Sequence, residues 1–526
     1  MTTTSILCGI MLVVFFTVMV AVGIYSRKHA TDVNGFVLGG RQVGPWLTAF
    51  AFGTSYFSAV IFVGYAGQFG WNFGMASTWI GLGNAFIGSL LAWNVLGRRT
   101  RIMSQALDSK TMPDFFGSRF ESKKLKIAAS IIVFVFLIPY TASLYNGLSS
   151  LFNMAFGLPY WTIIVIMAVL TGVYVIVGGY MATAINDFIQ GIIMLIGIIA
   201  VVAAVVINNG GLNAATAKLA AVKLPESFDG ALSSFFGPDP LALLFVVILT
   251  SLGTWGLPQM VNKFYAIKSE KDIHKGTVIS TVFAIIVAGG CYFLGGFGRL
   301  YDIAINPETK QPLFDTIIPN MLKTLSPVLI AVVIVLVLSA SMSTLSSLVL
   351  TSSSTFTLDL IQPNLKKKMS ENRKVLVMRI FIVFFILISA MIAIVKDANP
   401  TVTFIAQMMG VSWGALAGAF LAPFLYGLYW KKTTKIACIV CFFWGCGIAV
   451  LQMVVSLAKI DVTTWGPVLG YIFKSSINSG VIAMVGGLII VPVVSLFTKS
   501  PSEKQTDKLF EAYEEKREVP AKEALD

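Results

Sequence analysis

The chain has 526 residues, 56% of them hydrophobic and 12% charged, with a mean hydropathy of +0.82. A soluble core of this length has no use for so much apolar surface, so the composition excludes a soluble globular protein and implies an all-α polytopic membrane protein. The net charge of +13 does not imply nucleic acid, because the cations lie in short loops between apolar runs.

Apolar windows of about 20 residues, the length that crosses ~30 Å of hydrocarbon, fall near 5–26, 45–73, 76–97, 127–148, 160–179, 186–208, 240–260, 276–298, 326–358, 375–395, 401–429, 436–457 and 478–498. The first is too long for a signal-peptide core and stays as a membrane helix. An odd count, about 13 spans, puts the termini on opposite sides. The loops after the odd-numbered windows then carry all but eight of the 38 Lys and Arg, among them Arg98, Arg99, Arg101, Lys431 and Lys432. The positive-inside rule therefore predicts a multi-pass plasma-membrane protein with the N-terminus outside and the C-terminus in the cytoplasm.

Three windows are irregular. The second opens on Gly44-Pro45 and carries Gly53-Thr-Ser-Tyr-Phe-Ser58 at its centre; the seventh ends in Gly253-Thr-Trp-Gly-Leu-Pro258; the eleventh carries Gln407, Gly410, Ser412 and Trp413. Small and hydroxyl residues at membrane depth mark either a helix that unwinds to line a site or close helix packing, and composition leaves both open. Asp187, between the fifth and sixth windows, is costly near hydrocarbon. It reads equally as an element of an ion path and as an N-cap of the sixth helix.

The ninth window runs into Ala340-Ser-Met-Ser-Thr-Leu-Ser-Ser, and Ser343 and Thr344 lie at membrane depth. Hydroxyls there either bond back one helical turn or serve as neutral ligands for a weakly held hard cation such as Na+. The density of Ser and Thr from Ser341 to Thr357 favours the cation. The five Cys lie in apolar runs, and Cys438 and Cys441 read as buried packing. With only His29 and His274, and no paired carboxylates at membrane depth, the chain reads as not an enzyme. The tail from Pro501 is charged and lacks periodicity except near Leu509–Tyr513, and it is expected to be solvated.

Leu38-Gly-Gly-Arg41, Met112-Pro-Asp-Phe-Phe116 with Arg119-Phe120, Gly178-Gly179 with Asp187 and Gln190, Ala340-x-Met-Ser-Thr-Leu-Ser346 with Asp359, and Trp430 before a basic pair together resemble the sodium:solute symporter family, closest to its bacterial sodium/proline branch. The resemblance implies a leucine-transporter-type core of five plus five helices in inverted repeat. Residues 44–208 would form the first repeat and 240–430 the second. Around them stand an extra helix and inner loop at 1–43, an outer loop at 209–239, two further helices at 431–499 and a cytoplasmic tail at 500–526.

Carried over by position, the resemblance implies a sodium site of the Thr54, Phe57 and Ala340 carbonyls with the Ser343 and Thr344 hydroxyls. It also puts Asp187 on the ion's route inward. The solute site would use Thr54, Tyr56, Ser58, Tyr140, Trp255, Pro258 and Gln407. That pocket departs from the proline branch: Tyr56 stands where an Asp would be, Val60 for a Trp, and Thr250 and Thr254 for an aromatic pair. Ile61 and Thr78 replace the Gln and Glu of the glucose branch. The expectation is therefore a symporter of a small organic solute with Na+ as coupling ion and no cofactor. A proline-like amino acid leads, with a monocarboxylate or other small organic anion as one alternative and a transporter-like solute sensor as another. Oligomeric state is not legible.

Overall fold

The computed structural model describes residues 3–157, 159–225, 227–303, 305, 312–398 and 405–514. Among them the chain is helical, with two isolated bridges and no strand. The long helices are α1 (Thr3–Ser26), α2 (Pro45–Tyr56), α3 (Lys123–Phe156), α4 (Tyr160–Asn208), α5 (Pro240–Leu252), α6 (Pro258–Ala266), α7 (Glu270–Ala284), α8 (Pro327–Thr355), α9 (Glu371–Ala398), α10 (Ile405–Tyr429), α11 (Lys435–Leu457) and α12 (Ser476–Phe497). Local chemistry fixes their starts. Pro327 opens α8 behind Ser326, whose hydroxyl accepts from the Leu329 N–H, and Pro240 opens α5 behind Asp239, whose carboxylate accepts from Ala242.

Ten helices among the described residues are long and apolar enough to cross a membrane, and the bent pair Pro240–Gly256 with Pro258–Ala266, meeting at 49°, makes an eleventh. That is fewer than the thirteen windows, because windows share helical runs: Val60–Ala106 has 47 residues and Tyr160–Asn208 has 49. At 1.5 Å per residue each would be about 70 Å long, more than twice the hydrocarbon thickness. Each contains a glycine in a conformation that other residues avoid, Gly74 (φ 59°, ψ −135°) and Gly179 (φ 56°, ψ −145°). Thirteen crossings follow if each glycine turn separates two. The third irregular window corrects differently: α10 is continuous from Ile405, and residues 399–404 before it lie outside the described part.

The centre of the bundle is α8. Its apolar window is 78% buried against 22% for α1, so α8 is surrounded by protein while α1 faces lipid. It packs on α1, α2, α3, α4 and α9. Just past its C-terminal end the chain is held by the buried Asp359 carboxylate, which accepts from the Thr111 hydroxyl at 2.5 Å and lies 3.1 Å from Lys126 Nζ; that ammonium also pairs with Asp114 at 2.6 Å. Arg41 is equally structural. Its guanidinium, buried, donates to the Ser109 carbonyl at 2.6 Å and the Ser104 hydroxyl at 3.0 Å.

The described part of the tail, from Pro501 to Glu514, is docked on the protein rather than free in solvent as expected. Glu503–Glu511 forms a helix, α13, and the chain through Glu514 docks on the loops that carry Arg98–Arg99 and Leu428–Lys431. The Tyr513 hydroxyl donates to the Leu428 carbonyl at 3.0 Å, Arg98 donates to the Tyr513 carbonyl at 2.7 Å, and Lys431 pairs with Asp507 at 2.7 Å. The Arg99 guanidinium lies over the rings of both Tyr429 (4.0 Å) and Tyr513 (4.6 Å). Burial raises the Tyr513 pKa, so its hydroxyl remains a donor at neutral pH. Replacing Tyr513 by Ala is expected to lower the melting temperature of the detergent-solubilised protein by several degrees; an unchanged melting curve would show that this docking contributes nothing to stability.

Candidate sodium and solute site

Two breaks at membrane depth shape the site. The first ends α2 at Tyr56; Phe57 is extended (φ −83°, ψ 113°), and the chain recoils only in the π-helical segment Val60–Tyr65. The second lies at Leu257 (φ −87°, ψ 120°), between the tight turn Gly253–Gly256 and α6. Pro258 cannot donate to the ladder before it, which explains why the helix stops there.

The end of α2 faces α8. The Ser343 hydroxyl lies 3.2 Å from the Thr54 carbonyl and 3.1 Å from that of Ala340. The Thr344 hydroxyl lies 3.1 Å from Thr54, 3.3 Å from Phe57 and 3.1 Å from Ala340, again at the carbonyls. All five residues are buried. Contacts to Ala340 are the back-bonding that helix packing alone would give. Those to Thr54 and Phe57 are different, because they cross between helices to backbone that the break has released. Each hydroxyl carries one proton, so two hydroxyls cannot satisfy all these carbonyls at once. The cluster therefore holds more neutral acceptors than hydroxyl protons.

Asp187 is not an N-cap. It stands two turns beyond Gly179 inside α4, fully buried, with Lys263 Nζ of α6 at 3.6 Å. Lys263, itself 2% exposed, donates to the Ser347 hydroxyl at 3.0 Å, and Ser347 shares a hydrogen bond with the Ser55 hydroxyl at 2.9 Å. Sequence reasoning missed this partner by counting Lys263 among the inner-loop cations. The usable signal was the cost of burying Asp187 alone, which demands a cation, and Lys263 is the one charge between Pro258 and Ala266.

The expected solute residues are only partly brought together. The Tyr140 ring meets Trp413 edge to face at 6.1 Å, and a Cβ on Gly253 at the second break would touch Trp413. The Ser58 hydroxyl, the Tyr140 hydroxyl and the Trp413 indole N–H are buried without a hydrogen-bond partner among the described residues. By contrast the Thr54 hydroxyl is committed to the Phe50 carbonyl at 2.9 Å and the Trp255 indole to the Ile87 carbonyl at 3.0 Å. Tyr56 is buried, and Pro258 acts by breaking the helix. The Gln407 side chain lies outside the described residues.

A helical membrane protein with two interrupted helices, one of them facing an uncharged oxygen cluster, has the architecture of an ion-coupled secondary carrier. The profile of the sodium:solute symporter family matches residues 36–445, and the chain belongs to that family. The osmoregulated proline transporter OpuE of Bacillus subtilis (strain 168) is 29% identical over 94% of this chain and 96% of its own length. The sodium/proline symporter of Staphylococcus aureus (strain USA300) is 31% identical over 81% of this chain and 82% of its own. A substrate-bound, outward-open Na+-coupled sialic acid symporter covers 94% of this chain and 99% of its own with a TM-score of 0.70 at 17% identity, a likeness of fold. The core is thus of the expected leucine-transporter type.

Proposed function

We propose that this chain imports proline or a proline-like amino acid across the plasma membrane together with sodium, its N-terminus outside and its C-terminus in the cytoplasm. The observation that carries the coupling is the cluster of Thr54, Phe57 and Ala340 carbonyls around the Ser343 and Thr344 hydroxyls, at 3.1–3.3 Å. Sodium bridging α2 and α8 there would pin the broken segment and stabilise the state open to the outside. Five neutral oxygens bind the ion weakly enough to release it into a sodium-poor cytoplasm. The driving force is the difference in sodium affinity between the two states, since an ion bound equally by both shifts nothing. The membrane potential adds about 2.3 kcal/mol per charge per 100 mV.

The solute would sit among Ser58, Tyr140 and Trp413 at the two breaks. These groups offer hydrogen-bond donors, which suit a carboxylate. With Tyr56 where the proline branch has an acid, the counter-charge for a solute ammonium is the weaker part of the match, and this favours a monocarboxylate as the second reading. The experiment is uptake of labelled proline, alanine, lactate, acetate and pantothenate into proteoliposomes with and without an inward sodium gradient. Proline is expected to accumulate only with the gradient. Lactate or acetate in its place would select the second reading, and accumulation indifferent to sodium would end both.

A further inference from the structure

The Asp187–Lys263 pair is more than a salt bridge between helices. Its hydrogen-bonded partners, Ser347 and Ser55, come from α8 and α2, the same two helices that build the five-oxygen cluster. Ser55 follows Thr54 directly, and Ser347 lies three residues beyond Thr344 and four beyond Ser343, so it stands on the same helix face one turn further along. Two hydroxyls and a buried carboxylate are cation ligands by composition. Neither Asp187 oxygen has a hydrogen-bond partner among the described residues, so the carboxylate is held by charge alone. The cation present is an ammonium on a long stem, over the ring of Tyr180 at 5.2 Å. A small enclosed space lined by Tyr180, Gln259, Asn262, Leu350, Thr351 and Ser354 adjoins it.

We propose that the Lys263 ammonium is a tethered cation occupying a second cation site made by Asp187, Ser347 and Ser55, one helical turn from the transported sodium, and that it thereby fixes the stoichiometry at one sodium per solute. This rests on the symport reading above. The lysine supplies the charge that Asp187 requires but cannot leave with the solute, so it contributes no coupling. Removing the ammonium frees a carboxylate and two hydroxyls for a mobile ion.

The test is the ratio of radiolabelled sodium to labelled proline taken up by proteoliposomes holding the full chain, with the sodium dependence of the initial rate. The wild type is expected to move one sodium per proline with a Hill coefficient of about 1, and Lys263→Met two per proline with a coefficient approaching about 2. Adding Asp187→Asn to Lys263→Met is expected to return the ratio to one. Lys263→Gln, whose amide keeps a hydrogen bond to Ser347, serves as a second neutral variant and is read in the same way. A neutral variant that transports at the wild-type ratio overturns the proposal, as does a wild type that already moves two sodium ions, a result that needs no variant to fold. Uptake that ignores sodium in the wild type is instead the failure of the symport reading.

Discussion

A Ser343→Ala/Thr344→Ala double variant is expected to abolish sodium-driven accumulation, bringing the internal solute concentration no higher than the external one, while the protein still inserts and folds. The two hydroxyls are the only side-chain ligands among the five groups, and the carbonyls of Thr54, Phe57 and Ala340 remain. A hydrogen-bonding or ligand contact to a charged partner contributes about 1.5–3 kcal/mol, so losing two weakens sodium binding by about 3–6 kcal/mol, roughly 10²- to 10⁴-fold. The single variants should not be equal. Thr344 reaches three carbonyls, two of them across the helix interface, whereas Ser343 reaches two. Thr344→Ala is therefore expected to raise the sodium concentration for half-maximal uptake more than Ser343→Ala does, and Thr344→Ser to restore most of it. Accumulation that survives the double variant would mean the hydroxyls only pack the helix.

The contrast between Ser343 and Lys263 explains what could be read from the chain. Unwinding of α2 and the break before α6 leave local marks, because glycine, proline and hydroxyl residues are poor helix formers wherever they stand. The five-oxygen cluster likewise follows from adjacent residues on α8 facing one unwound segment. Lys263, Ser347 and Ser55 are distant in sequence from Asp187, and no period or spacing names the partner that a buried carboxylate requires. The glycine turns at Gly74 and Gly179 fall where the apolar windows already part, after residues 73 and 179. A turn made by one positive-φ glycine needs no polar loop, so only a short gap marks each of them. In the tail, five residues from Leu509 to Tyr513 were enough to dock a charged segment, since one aromatic hydroxyl, an edge-to-face ring pair and the Arg99 guanidinium over Tyr513 anchor it at a helix end. The solute pocket was the least legible. Whether Trp255 or Trp413 offers its indole depends on which carbonyl each finds across the bundle, and only the fold decides that.

Gly179→Ala is expected to be strongly destabilising for a single added methyl. With φ 56° and ψ −145°, Gly179 occupies a region that is essentially glycine-only, and a residue forced there stores about 1–3 kcal/mol. The added Cβ would also lie 2.9 Å from both the Phe36 carbonyl oxygen and the Phe36 ring. The oxygen belongs to backbone and cannot swing aside, so overpacking adds about 1–3 kcal/mol more. A loss of about 2–6 kcal/mol is a large share of the 5–15 kcal/mol that holds a typical fold. The consequence reaches the site, because the half of α4 that carries Asp187 starts at this turn and any relaxation there moves the carboxylate from Lys263. Gly157→Ala separates strain from crowding. Gly157 also has a positive φ, 62°, but among the described residues nothing lies within 4 Å of its added Cβ. Melting of the purified variants is expected to show a small loss for Gly157→Ala and, for Gly179→Ala, a drop several times larger with a poor yield of monodisperse protein. Equal losses would mean that the backbone conformation alone sets the penalty and that the contact with Phe36 yields freely.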